Sequence, residues 1–163
     1  MHENSELGGL GERERTILNA LAARERPVVT VEDVLDEFDV GRKAANVTLS
    51  RLARKGWLRR LRRGAYSVVP LSSRSGSPAP EEPLALAMEL FPPCYISGWT
   101  AAEHWGLTEQ VSNTVLVYSA DPQRKAEQRI AGLNFRVRRI PEEMIFGTTR
   151  IWYGRTPVEM ATV

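Results

Sequence analysis

Over residues 12–24 apolar positions recur at helical spacing: Ile17, Leu18 and Leu21 share one face and charged residues fill the other. The pattern predicts a helix, which Pro27 brings to an end. Thr30 then offers an N-cap, with Asp33 at the capping-box position, for a second helix reaching residue 38. Its apolar stripe is Val31, Val34, Leu35 and Phe38. Asp39, Val40 and Gly41 make a short turn into a third helix over about 42–55, closed by Gly56 at the C′ position. Two extended runs, 57–61 and 65–69, meet around Arg62, Arg63 and Gly64, where Gly64 supplies the positive φ of a hairpin turn. Leu58, Leu61 and Tyr66 break strict alternation, so a twist or bulge is expected somewhere in this hairpin.

The pattern changes after the hairpin. Residues 71–83, LSSRSGSPAPEEP, hold Ser, Pro and Gly with no large apolar residue after Leu71, which is the composition of a linker. A helix over 84–91 follows, broken by Pro92 and Pro93, then a short helix over 100–105. Residues 115–118 and 135–140 read as strands, and 151–153 and 158–163 as short extended pieces. The polar stretch 121–130 suits a helix or a long loop, and residues 1–10 are expected to fray. The fold class is therefore α+β. It comprises an N-terminal winged helix-turn-helix at 10–70, a linker at 71–83 and a small α+β module at 84–163.

Charge sharpens this reading. Residues 1–39 carry ten acids and four bases, residues 40–80 ten bases and no acid, and residues 81–163 ten acids and eight bases. The cationic block thus coincides with the third helix and the hairpin, the parts of a winged helix that meet DNA. At about 100° per residue, Ala45, Leu49 and Leu52 face the other helices, while Arg42, Lys43, Asn46, Val47, Ser50 and Arg54 occupy the opposite arc. Guanidinium, ammonium, amide and hydroxyl groups are those that pair with base edges and phosphates in the major groove. Arg59, Arg60, Arg62 and Arg63 add wing cations suited to phosphates or a narrow minor groove. Two other readings stand beside this one: the arginines solubilise a small hairpin, or the winged helix binds protein. An acid-free run spanning both helix and wing favours double-stranded DNA.

Enzyme chemistry finds little support. Glu103 and His104 are adjacent and diverge on a helix, and His104 sits among Trp99, Trp105 and Leu107 as a packing histidine would. Cys94 has no local activating base and reads as a structural thiol; being the single cysteine, it forms no internal disulfide. One Cys and two distant His make no zinc site, Gly8 and Gly9 precede no phosphate-loop lysine, and no cofactor motif is present. No apolar run approaches the roughly 18 residues of a membrane span, and the N-terminus is not a secretory signal, so a cytoplasmic protein is expected. An alternative function keeps the winged-helix regulator but gives its second module a ligand-sensing or dimerisation role. Tyr95, Trp99 and Trp105 would then line a pocket, although a module this small is expected to use them as core.

The run VGRKAANVTLSRLARKGWLRRLRRGAYSVVP resembles the N-terminal winged helix of the AbiEi antitoxins, members of type IV toxin–antitoxin (abortive infection) systems. YISGWTAAEHWGLTEQ, NTVLVYSA and FRVRRIPEEMIFG are similar to the same family's C-terminal region. The resemblance implies a transcriptional autorepressor that binds operator inverted repeats through its N-terminal domain. It also implies a C-terminal region that contributes to repression and carries antitoxin activity. The opposed toxin would be a nucleotidyltransferase-like protein, countered without a stable complex. Family members usually continue beyond the position of Val163, so an incomplete C-terminal module with an uncovered terminal strand is expected.

Overall fold

The computed structural model describes residues 9–69 and 82–163, and the chain divides into two compact units, 1–80 and 81–163. Of the segment expected to fray, residues 1–8 lie outside the described residues, as do Pro70 and 71–81 of the expected linker. Pro83, expected to close the linker, opens a helix instead, at the position where proline costs no intrahelical hydrogen bond.

The first unit comprises α1 (Glu12–Ala23), β1 (Val29–Thr30), α2 (Val31–Glu37), α3 (Arg42–Arg54), β2 (Leu58–Arg62) and β3 (Ala65–Val68). Its antiparallel sheet has the order β1-β3-β2. With the short turn between α2 and α3, this is the element order expected of a winged helix-turn-helix. Ile17, Leu18 and Leu21 of α1, Val31 and Val34 of α2, and Ala45, Leu49 and Leu52 of α3 close one core over Val29, Leu58 and Tyr66. β1 is only two residues long and owes its existence to pairing with Tyr66 and Ala65.

Two polar ties set the helices. Asp33 is buried, and its carboxylate accepts from the Thr30 backbone N–H at 2.7 Å, capping α2. The same carboxylate takes Arg24 at 2.7 Å and Arg26 at 3.0 Å, so the charge buried at the start of α2 is met by guanidiniums following α1. At the other end of α1, Glu14 accepts from the Gly11 N–H at 3.0 Å and from Lys55 Nζ at 2.6 Å, fastening the C-terminus of α3. The Lys55 hydrogen bond, followed by that from Gly11, holds the Glu14 carboxyl below the usual carboxylate range.

The second unit comprises α4 (Pro83–Leu90), β4 (Cys94–Ile96), α5 (Gly98–His104), β5 (Thr114–Ser119), β6 (Glu127–Ile130), β7 (Leu133–Arg139), a 3₁₀ turn (Glu142–Met144), β8 (Thr148–Tyr153) and β9 (Thr156–Ala161). Among the described residues its sheet has the order β6-β7-β5-β4-β9-β8, mixing parallel and antiparallel pairs. One face carries Cys94, Ile96, Val117, Phe135, Val137, Val158 and Met160, buried beneath the apolar face of α4 (Leu86, Leu90) and Phe91.

Several sequence expectations change here. The 121–130 stretch, expected as helix or loop, ends in β6, whose polar residues pair along β7 at the edge of the sheet. The terminal strand is not an uncovered edge: β9 pairs with β4 on one side and β8 on the other, and Val158 and Met160 are fully buried. The aromatic cluster is not core either. Trp99 is 63% exposed and Trp105 36%, because α5 is a single short helix in which only Ala101 is buried, and α4 already fills the sheet's inner face. His104 is likewise exposed; its Nδ1 lies 3.3 Å from the Tyr153 hydroxyl and its ring stands edge-on to Trp105.

Candidate nucleic-acid interface

The third helix forms where the sequence places it. Gly41 provides the extended N-cap residue, and Lys55 leads into Gly56, whose φ of 81° ends the helix. Ala45, Leu49 and Leu52 are buried, and the angular division predicted from the sequence is the one observed. Arg42, Lys43, Asn46, Val47, Ser50 and Arg54 all stand exposed on the outer arc.

Their environments differ. Arg42 reaches back to Glu32 on α2 at 2.8 Å, an exposed pair that must exchange the carboxylate for a phosphate or base if Arg42 is to touch DNA. The Glu32 carboxyl is lowered from its ordinary value first by a backbone hydrogen bond from its own N–H, then by Arg42, so it stays ionised at neutral pH. The Asn46 amide donates to the Arg42 carbonyl at 3.0 Å, a resting contact within the helix that leaves its amide oxygen for a partner. Val47 is 45% exposed, an apolar residue on a cationic face, suited to a thymine methyl group.

In the hairpin, the bulge expected from the sequence falls at Leu61. Arg60 pairs with Tyr66 and Arg62 with Ala65, leaving Leu61 as the extra residue. The two-residue turn Arg63–Gly64 follows, with Gly64 at φ 77°. The bulge puts neighbouring arginines into unlike positions: Arg60 and Arg63 are exposed, Arg59 and Arg62 half-buried. The ten residues singled out in the sequence thus belong to one unit and two adjoining elements, but the wing arginines are not equivalent. Glu32 is the residue that sequence reasoning missed. Nothing in the spacing of an acid on α2 signals that it pairs with the first residue of α3.

In the second unit, Cys94 is buried, its Sγ donating weakly to the Ala87 carbonyl at 3.6 Å, and burial pushes its thiol up to about 12. That is an inert thiol, not a nucleophile. Among the described residues no helix is long and apolar enough to cross a membrane.

Residues 17–69 match the family model described as transcriptional regulator, AbiEi antitoxin. No curated protein matches the chain. Among solved structures, the RV2827C protein from Mycobacterium tuberculosis is similar over 85% of this chain, with a TM-score of 0.52 and 22% identity. This chain spans about half of that protein (48%), and at this identity the likeness concerns the fold. The family match begins at the α1 core residue Ile17 and ends just after the hairpin, so it spans most of the described residues of the first unit.

Proposed function

We propose that this protein is a DNA-binding transcriptional autorepressor and the antitoxin of a type IV toxin–antitoxin system, acting in the cytoplasm on an operator of inverted repeats. The observation that carries the DNA-binding part is the outer arc of α3. Arg42, Lys43, Asn46, Val47, Ser50 and Arg54 stand exposed together within a stretch of chain that contains no acid. On this reading residues 10–70 are the DNA-binding domain and 84–163 the antitoxin-like module, joined by the linker at 71–83. The outer arc of α3 enters the major groove, where Asn46 and Arg42 read base edges, Val47 meets a thymine methyl, and Lys43, Ser50 and Arg54 take phosphates. Arg59, Arg60, Arg62 and Arg63 hold the flanking backbone from the wing. No catalytic group, metal or cofactor is needed for this task. The toxin partner, a nucleotidyltransferase-like protein opposed without a stable complex, follows from the family resemblance and not from any surface of this chain.

The test is a fluorescence titration of the full chain on DNA from upstream of its own gene and on a scrambled duplex, beside a promoter–reporter assay. The expected result is tighter binding to the native upstream DNA, together with repression that the Arg42→Ala/Asn46→Ala double variant abolishes. Equal affinity for both duplexes with no repression overturns the regulator reading. The antitoxin part is tested by sequencing the adjacent gene and co-expressing the chain with its product, which the reading requires to be a nucleotidyltransferase-like toxin. Growth rescue is expected, and its failure alongside intact repression removes the antitoxin role while leaving the repressor.

A further inference from the structure

The outer face of the second unit's sheet combines rings and guanidiniums. Side chains alternate along each strand, so the buried Val117 and Ser119 of β5 put Leu116 and Tyr118 on the opposite face. Buried Phe135 and Val137 do the same for Arg136 and Arg138 of β7, and buried Cys94 and Ile96 for Tyr95 of β4. Strand pairing then sets Tyr95 opposite Tyr118, Tyr118 beside Arg138, and Leu116 beside Arg136. The two tyrosine rings lie 5.5 Å apart at 31°, and the Arg138 guanidinium sits 5.8 Å from the Tyr118 ring centre. Trp99, in the first turn of α5, stands at the rim of an open groove of about 510 Å³ floored by Leu116, Tyr118 and the arginines. Gly98 permits this close seat: its φ is 57°, and a Cβ there would run into the Leu116 side chain.

We propose that this face binds single-stranded nucleic acid, stacking unpaired bases on Trp99, Tyr118 and Tyr95 while Arg136 and Arg138 hold the phosphates. The charge argues for a polyanion. Residues 81–163 are acidic overall, yet on the β6–β7 half of this face Arg129, Arg136 and Arg138 outnumber Glu127, which pairs with Arg136 at 2.8 Å. The rings argue for single strands. A duplex hides both faces of every base in its own stack, whereas an unpaired base offers a π-face of any sequence. Burial, and secondarily Tyr118, raise the Tyr95 phenol above its ordinary value, so that ring stays neutral beside a phosphate at physiological pH. Trp99, 63% exposed, lines the groove beside these arginines and offers a flat π-face on which a base can stack. The proposal goes beyond operator binding and uses residues outside the winged helix.

The test is fluorescence anisotropy of the full chain with end-labelled mixed-sequence single-stranded RNA, the same strand as DNA, and the corresponding duplex. Single-strand measurements are made in excess unlabelled duplex, which occupies the winged helix. Trp99→Ala with Tyr118→Ala is expected to weaken single-strand binding at least about ten-fold, given the usual worth of base–aromatic stacking, and to leave duplex binding unchanged. Trp99→Phe with Tyr118→Phe is expected to retain most of the affinity. Tighter RNA than DNA binding supports the site with the 2′-hydroxyl engaged, and equal binding supports it with bases and phosphates alone. Should the double variant misfold by circular dichroism, the single Trp99→Ala change, at an exposed position, carries the same reading. Absence of single-strand binding in the presence of duplex, or binding unchanged by loss of the rings, overturns the proposal.

Discussion

The two units hold arginines on exposed surfaces in opposite ways. On α3 and the wing the cations lie in a stretch with no acid of its own, so neutralising partners come from other elements: Glu32 on α2 for Arg42 and Glu14 on α1 for Lys55. On the sheet of the second unit, the acid comes from the neighbouring strand. Arg136 pairs with Glu127 across β6–β7, and Arg150 with Glu159 across β8–β9. The first arrangement leaves a net positive field reaching about a Debye length into solvent, whereas the second cancels much of its field and acts only at contact. A concentration of one sign of charge suits capture of a uniform polyanion, and paired charge among rings suits a ligand that brings a second kind of contact.

Salt is the strongest way to break that comparison. If about five of the α3 and wing cations meet phosphates, the log–log slope of duplex affinity against salt should lie near −4.5, roughly a 500-fold loss between 50 and 200 mM. A fluorescence titration across that range checks it. A slope near zero would mean that the acid-free block does not face the DNA backbone and that the contrast between the units is only compositional.

The next largest effect separates the scaffold from the surface it presents. Leu49 is fully buried on the inner arc of α3, among α1 and α2 side chains. Leu49→Ala should cost about 2–5 kcal/mol of the first unit's stability through lost transfer energy and a residual cavity. Phe135→Ala, in the core of the second sheet, should cost about 3–5 kcal/mol there. Hydrogen exchange read separately over the two stretches is the measurement. Loss of protection in both stretches from either change would mean that the units do not unfold independently.

What the sequence made legible follows from the range of the interactions involved. The three helices of the first unit, the Thr30 cap, the Gly56 stop and the outward arc of α3 are set by residues within a turn or two of one another. β1 and β4, of two and three residues, exist because distant chain supplies their partners, and no local pattern announces them. β6 hid for the same reason, its polar residues suiting an edge strand as well as a loop. The aromatic residues misled differently. Large rings are ordinarily buried, but here Leu84, Leu86, Leu90 and Phe91 come from one compact stretch that fills the inner face, leaving Trp99 and Trp105 outside. The alternation in Phe135, Arg136, Val137, Arg138 carried the signal for an arginine face, legible only once Tyr118 was known to be its neighbour.

Within the interface itself, reading and holding should separate. Asn46→Ala is expected to cost about 1–3 kcal/mol on the cognate operator and to relax base preference, because a bidentate amide contact discriminates between bases. Arg60→Ala with Arg63→Ala, the exposed wing pair, should weaken binding to cognate and random duplex alike and flatten the salt slope by about two. Parallel titrations on both duplexes give the answer. Equal loss on both for Asn46→Ala would place the reading surface elsewhere on α3.

The smallest effect is the sharpest test of how the first unit neutralises its cations. Glu32 holds Arg42 at 2.8 Å in an exposed pair, and such pairs contribute about 0–1 kcal/mol to stability. On the proposed reading Arg42 leaves that carboxylate to meet DNA, and a carboxylate near the groove repels phosphates. Glu32→Gln should therefore raise duplex affinity a few-fold, by less than about 1 kcal/mol, with little change in thermal stability. The sign with pH follows from the lowered Glu32 carboxyl. Its stabilising contribution is complete above the unfolded carboxylate's pKa and is lost as pH falls through the lower folded value. Between pH 6 and 8 the wild-type pair is thus constant, and the affinity ratio between Glu32→Gln and wild type should not vary across that window. Calorimetric titration at both ends, with Arg42→Ala as the companion variant, completes the test. If Glu32→Gln weakens binding as much as Arg42→Ala does, Glu32 positions the arginine for DNA instead of competing for it, and the exchange of carboxylate for phosphate is wrong.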